Sequence, residues 1–393
     1  MEDVRANEHE TWRRAAIIGV MTNELLQPTF TNPNAAERPA SASSARPATL
    51  LDLDLTELRA WFTERGEPGY RADQVWKAVY GELAPDASAI TTLPKTLRTR
   101  LAQELPPPVL EPIREWVADG GDTHKSLFRL HDGREIETVM MQYEDGRATV
   151  CVSSQAGCAL GCVFCATGLG GFDRNLSSGE ILGQILFYAR VLKERGKRLT
   201  NIVYMGMGEP LANPAAVWKS IHALHRPDGM NFSPRRITVS TVGLVPRIRD
   251  FARSGLPVNL AISLHAPDDE LRASMMPINN RWPLAELIAA AREYTVMTGR
   301  RISFEYALIA GRNSSPEQAA ALAELLSGLL CHVNLIPLNR VLGSDLEPPS
   351  HSQVLEFQRV LVEAGVPCTV RLERGADILA ACGQLRADHG SSQ

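Results

Sequence analysis

Residues 151–172 read CVSSQAGCALGCVFCATGLGGF and hold four of the chain's seven cysteines within fifteen positions. The stretch opens at the end of a β-rich run, ATVCVS, and Cys158, Cys162 and Cys165 then follow in a C-x3-C-x2-C loop. Downstream the same pattern repeats. TNIVYM, RITVS, VNLAIS, RISFEYALI, CHVNLIPL and PCTVRL are short β-rich runs, separated by helical patterns such as SGEILGQILFYARVLKERG and PEQAAALAELLSGL. Strands that alternate with helices imply a parallel sheet with helices packed outside, either doubly wound or wrapped towards a barrel. The span of about 230 residues is near barrel size, and the chemistry of such folds gathers at the carboxyl ends of the strands. Those ends are polar here: GMGEP follows YM, Ser240 closes TVS, Ser263 and His265 close AIS-LH, and Asn339 follows LIPL.

Upstream of this α/β core, expected over 144–375, the character of the chain changes twice. From Leu50 to about Leu105, LDLDLTELRAWFTERG, RADQVWKAVYGEL and LPKTLRTRLAQEL carry apolar residues at helical spacing, with caps and a Gly stop, which predicts a helical accessory domain over 49–106. Pro106 to Pro108 end it. LFRLHDG and EIETVMMQYEDG then alternate between turn signals, which predicts antiparallel strands in a connecting segment over 107–143. Residues 1–48 are expected to be a disordered tail, because 27–48 is rich in Pro, Ala, Ser and Asn. A short segment, 376–393, follows the core.

A chain of 393 residues with 44% apolar content is long enough for a sizeable core. Its net charge of −4 shows no global basic signature, so contact with nucleic acid has to come from a local patch. No stretch approaches a membrane span, and the apolar run AAIIGV at 15–20 is too short for a signal core. Seven cysteines in a large chain do not resemble a secreted disulfide framework, and a reducing cytoplasm fits better.

Three thiolates can hold three irons of a [4Fe–4S] cluster and leave the fourth iron open for chemistry. Two other uses compete. Structural zinc needs four ligands in pairs, and no partnering CxxC or HxxxH occurs elsewhere. A thioredoxin-like redox pair from Cys162 and Cys165 leaves the third cysteine unexplained.

The loop C-x3-C-x-Φ-C, with Phe164 in the aromatic slot, resembles the signature of radical S-adenosylmethionine enzymes. The longer series CVSSQAGCALGCVFCATGLGGFDRNLSSGEI, MGMGEP, ITVSTVG, AISLHAP, PINN and DILAACGQL is similar to the bacterial dual-specificity 23S rRNA and tRNA adenine C2-methyltransferases, and extends from about Leu50 to Gln384. The resemblance implies a radical SAM partial (β/α)6 barrel with an N-terminal helical accessory domain and a short β extension. It also implies one [4Fe–4S] cluster on Cys158, Cys162 and Cys165, and two S-adenosylmethionine molecules per turnover. Cys382 then becomes an S-methylcysteine carrier, Cys151 the resolving cysteine that forms a transient disulfide with it, and Glu137 in EIETV the proton acceptor. Nucleotide binding falls on Gly208, Glu209, Ser240, Ser263, Leu264, His265 and Asn339. The chain departs from the family where Leu338 replaces the usual aromatic and Arg340, not Pro, follows Asn339.

The implied partners are 23S rRNA at the peptidyl transferase centre, tRNA next to the anticodon, and an electron donor such as flavodoxin or ferredoxin, with the chain itself a monomer. Arg134, Arg174, Arg235, Arg236, Arg300 and Arg301 are candidate RNA contacts, although dispersed arginines are more often solvated surface. Without a motif, Glu135 and Glu137 read as solvated edge carboxylates, and Cys331 and Cys368 as core. The alternatives are a related C8-methylating enzyme, a radical enzyme acting on a protein or small molecule, and a noncatalytic RNA-binding module.

Overall fold

The computed structural model describes residues 48–341, 344–371 and 374–385. Apart from Ala48, the tail expected over 1–48 lies outside the described residues. The described chain divides into two compact units, one of residues 48–158, 165–239 and 374–385, the other of 159–164 and 240–371.

The first unit opens with helices α1 (Leu55–Glu64), α2 (Tyr70–Trp76) and α3 (Lys95–Glu104). Asp54 caps α1 by accepting from the Glu57 N–H at 2.8 Å, and the Glu57 carboxylate takes the Asp54 N–H at 2.7 Å. Leu55, Leu58, Trp61 and Phe62 then fall on one buried face. Strands β1 (Leu110–Ala118), β2 (Thr123–Leu130) and β3 (Glu135–Gln142) form an antiparallel meander, and β3 pairs antiparallel with β4 (Ala148–Cys151). The small ribbon of β5 (Gln155–Gly157) and β6 (Phe172–Asn175) encloses the cysteine loop and a short helix, α4 (Ala166–Leu169). Helix α5 (Ser178–Glu194), β7 (Asn201–Tyr204), α6 (Pro214–His225) and β8 (Ile237–Thr241) follow, with β4, β7 and β8 parallel.

Strands β2 and β3 of the meander are buried on both faces, because two different parts of the chain cover them, whereas β1 is largely exposed. Ser126 and Thr138 point to α5, where they meet the Tyr188 hydroxyl and the Gln184 carboxamide at 2.7 Å each. Strand alternation then sends Lys125, Glu137 and Val139 to the opposite face. Cys151 is opposite Val139 in the register, so it joins that face at the end of β4. Glu135 and Glu137 are therefore interior groups of a central strand, and the edge reading of the sequence does not hold for them.

The second unit carries α7 (Val245–Arg253), β9 (Asn259–Ser263), α8 (Asp269–Met275), α9 (Leu284–Thr298), β10 (Ile302–Leu308), α10 (Pro316–Leu325), β11 (Cys331–Pro337), α11 (His351–Glu363) and β12 (Cys368–Val370). Strands β9 to β12 pair in parallel with β10 and β11 central, and Ile302, Phe304, Tyr306 and Leu308 fill the interior. All seven β-rich runs of the core are strands. Cys331 and Cys368 open β11 and β12, and burial pushes both thiols up to about 11, away from reactivity. Among the described residues no helix is long and apolar enough to cross a membrane.

Candidate active site

On the meander face opposite α5, Lys125 Nζ lies 2.8 Å from Glu137 Oε1, with 5% and 3% of the two side chains exposed. Lys125 pairs with Val139 in the register and Glu137 is two residues earlier, which is the diagonal spacing that long side chains bridge. Lys125 Nζ also donates to the carbonyl of Leu379 at 3.2 Å, which brings the C-terminal segment onto this face.

The GMGEP loop is stitched to the same place. Ser153 Oγ donates to the Glu137 carbonyl at 2.6 Å and accepts from the Met207 N–H at 2.9 Å. The Glu137 N–H points at Met207 Sδ, 3.3 Å away. Gly208 takes φ 97°, and a Cβ there would lie 2.5 Å from the Gln155 side chain, so only glycine fits. Glu209 is buried. Its N–H is held by Gln155 Oε1 at 2.8 Å, and its own carboxylate accepts from the Leu211 N–H at 3.0 Å, capping the turn Pro210–Ala212.

Cys382 is exposed on a turn closed by a bond from the Gln384 N–H to the Ala381 carbonyl at 3.1 Å. That turn docks on α4. The Ala166 N–H donates to the Gly383 carbonyl at 2.7 Å, and Thr167 Oγ1 to the Leu385 carbonyl at 2.5 Å. Cys165 is the residue before α4, so two cysteines that are more than two hundred positions apart in sequence flank one hydrogen bond.

The cysteine loop itself is pinned beside each thiol. The Cys158 N–H donates to the Gly171 carbonyl at 2.7 Å. Gly157, with φ 74°, passes so close to the same carbonyl that a Cβ would lie 2.1 Å from it. The Val163 N–H, beside Cys162, donates to the Met275 carbonyl at 3.1 Å. Phe164 packs its ring edge-on against His265, with centroids 4.6 Å apart.

His265 has φ 61°, unusual for a residue other than glycine, and Asn313 Nδ2 holds its carbonyl at 2.8 Å. The Ala307 N–H donates to His265 Nδ1 at 2.8 Å, so the proton of the neutral ring sits on Nε2. Burial, helped by the nearby Arg272 charge, lowers its pKa to about 3. Ser263 ends β9, Leu264 is fully buried, Ser240 is the penultimate residue of β8, and Asn339 is buried two residues beyond β11.

Arg272 is fully buried in the middle of α8. It donates to the carbonyls of Leu264 (3.1 Å), Ser263 (3.1 Å) and Val242 (2.7 Å), and to Asn279 Oδ1 (2.9 Å), so all four acceptors are neutral. Burial pulls the guanidinium down to about 10, against the attraction of negative charge at Cys162 and Asp269. Three thiols at C-x3-C-x2-C spacing in one loop are a donor set whose chemistry fits an iron–sulfur cluster.

Lys125, Arg272 and Asn313 were not picked out from the sequence. Lys125 stands in THKS, just ahead of the run LFRL, and an ammonium within a strand pattern was its only signal. Two candidate RNA arginines are spoken for internally. Arg174 bonds Asp132 at 2.6 Å and Glu180 at 2.8 Å, and Arg134 bonds Asp132 at 3.1 Å. Arg300 bonds Asn259 at 2.7 Å, whereas Arg235, Arg236 and Arg301 are exposed.

Comparison with known proteins agrees with this geometry. Residues 152–326 match the family described as the radical SAM superfamily, which works with a [4Fe–4S] cluster and S-adenosylmethionine. Residues 48–105 match the family described as the ribosomal RNA large subunit methyltransferase N-terminal domain. A relative from Chloroflexus aurantiacus is 50% identical over 351 residues, covering 86% of this chain and 93% of its own. One from Parafrankia sp. is 51% identical over 362 residues, covering 88% and 94%. Both carry the name "Probable dual-specificity RNA methyltransferase RlmN". The crystal structure of a radical SAM methyltransferase from Sphaerobacter thermophilus superposes with a TM-score of 0.86 at 54% identity, over 87% of this chain and all of that one. With half of the residues identical over most of both chains, this chain belongs to the RlmN family of radical SAM RNA methyltransferases.

Proposed function

We propose that the chain methylates C2 of adenine in 23S rRNA at the peptidyl transferase centre and in tRNA next to the anticodon, with Cys382 as the methyl carrier. The observation that carries this reading is the hydrogen bond from Ala166 to Gly383, which ties the turn of Cys382 to the helix that starts after Cys165. C2 of adenine is electrophilic and does not attack a sulfonium methyl directly, so the methyl has to arrive by another route.

In this reading Cys158, Cys162 and Cys165 hold the cluster, and Gly208, Glu209, Ser240, Ser263, Leu264, His265 and Asn339 bind S-adenosylmethionine. With its proton on Nε2 the neutral His265 serves as a donor there. When bound, the cluster and S-adenosylmethionine supply a 5'-deoxyadenosyl radical by reductive cleavage. Cys382 Sγ takes a methyl from a first S-adenosylmethionine, gives up one of its hydrogens after a second is cleaved, and bonds its methylene carbon to C2 of adenine. Glu137 accepts the C2 proton as the adduct gives up one electron, which the cluster would take back if bound. Cys151 Sγ, as thiolate, then bonds to Cys382 Sγ and breaks the bond from Cys382 Sγ to the methylene carbon, which leaves with the bonding electron pair and takes up a proton to become the methyl group of the product.

The helical segment 49–106 and the exposed Arg235, Arg236 and Arg301 are suited to RNA phosphates, and an adenine ring carbon is reached only by taking the base out of its stack. Family membership supports a flavodoxin or ferredoxin as reductant and a monomer acting in the cytoplasm. Mass spectrometry of nucleosides from RNA treated with reduced holoprotein tests the reading. It expects 2-methyladenosine in both 23S rRNA and tRNA, and 8-methyladenosine as sole product would contradict it.

A further inference from the structure

Lys125 is the third residue of β2, with its ammonium out of water. Groups from three other parts of the chain surround Nζ: Glu137 Oε1 on β3 at 2.8 Å, the Leu379 carbonyl at 3.2 Å, and the Trp116 ring on β1 with its centroid at 4.5 Å. A buried ion pair is weak evidence for stability, since packed apolar side chains of similar volume often do as well or better. The pair is therefore better explained by what it holds. One partner is the carboxylate assigned to the C2 proton, and the other is three residues before Cys382. The other ionisable groups that the register places on this face are Arg129 with Glu135 at 3.5 Å and Glu111 at 3.4 Å, Arg114 on β1 and Cys151 on β4.

We infer that Lys125 is a positioning residue for methyl transfer, whose ammonium keeps the buried Glu137 carboxylate ionised and ties it to the segment that carries Cys382. The inference rests on the reading in which Glu137 accepts the C2 proton. Without the ammonium, burial favours the protonated carboxyl, which accepts nothing, and the carbonyl of Leu379 loses its donor. Both effects act at one point. The proton acceptor and the methyl carrier are held in register by a single side chain.

The test compares Lys125→Met and Lys125→Arg holoproteins, matched for cluster content, in anaerobic methylation of 23S rRNA. Lys125→Met should lose at least tenfold in 2-methyladenosine formation at pH 7 and recover as the pH is raised, because a higher pH ionises Glu137 without help. Lys125→Arg should restore most of the rate. Hydrogen–deuterium exchange over 376–385 should be faster in Lys125→Met than in the parent. A Lys125→Met rate within twofold of the parent, or a loss that neither pH nor arginine relieves, overturns the inference. Glu137→Gln separates the two claims: full activity removes the assignment of Glu137 itself, whereas an inactive Glu137→Gln beside an unaltered Lys125→Met removes only Lys125. Should Lys125→Met fail to fold, Lys125→Met/Glu137→Met removes the pair together. Exchange over 376–385 is then decisive, since parent-like protection contradicts the tether and fast exchange supports it.

Discussion

The backbone N–H of Ala166 donates to the carbonyl of Gly383 at 2.7 Å, joining the residue after Cys165 to the residue after Cys382. Thr167 Oγ1 adds a second bond to the Leu385 carbonyl. Thr167→Val removes the second while keeping the shape of the side chain, at a cost of about 1 kcal/mol of docking. RNA methylation should fall about fivefold, in line with that cost. Cleavage of S-adenosylmethionine to 5'-deoxyadenosine, measured without RNA, should persist.

Gly157 has a positive φ and its α-carbon faces the Gly171 carbonyl. Gly157→Ala is expected to destabilise the β5–β6 ribbon by about 2 kcal/mol or more, through strain and the clash together. Iron and sulfide analysis after reconstitution should show low cluster content, whereas Gly146→Ala, which meets no neighbour, leaves cluster content unchanged.

His265 predicts a pH dependence of stability. Its folded-state pKa is depressed to about 3 by burial, so between about pH 6.5 and 3 the unfolded chain binds a proton that the folded chain does not. Its contribution is complete above the unfolded value and declines as pH falls, by up to about 1.4 kcal/mol per unit. Thermal unfolding from pH 7 to 5 should drop less steeply in His265→Gln, whose carboxamide can still accept from the Ala307 N–H.

Much of this arrangement was legible in the sequence because it rests on periodicity and on motif order. The seven β-rich runs became strands, since β-branched residues between turn signals leave little choice, and the cysteine spacing singled out the loop. Lys125 and Arg272 were not legible. Each is a cation whose meaning lies in non-local partners, Leu379 for one and the carbonyls of Val242 and Ser263 for the other, and no local pattern records those. The surface reading of Arg134 and Arg174 failed for the same reason, because Asp132 and Glu180 reach them only in the folded chain.

Arg272 anchors the carbonyls of Val242, Ser263 and Leu264 from a fully buried position. Arg272→Met removes one donor from each of these acceptors and should lower stability by several kcal/mol, at about 1–3 kcal/mol for each buried hydrogen bond lost. Arg272→Lys should recover only part, because an ammonium lacks the planar fork that reaches all four acceptors. Thermal midpoints of the two variants against the parent measure this directly.

The central claim is that Cys382 carries the methyl to RNA and that Cys151 releases the product. Cys151→Ala, expressed in cells and examined for protein covalently joined to RNA, tests it most directly. The account predicts that the adduct accumulates in this variant and disappears when Cys382→Ala is added. A Cys151→Ala protein free of RNA, or an adduct that survives the loss of Cys382, would contradict it.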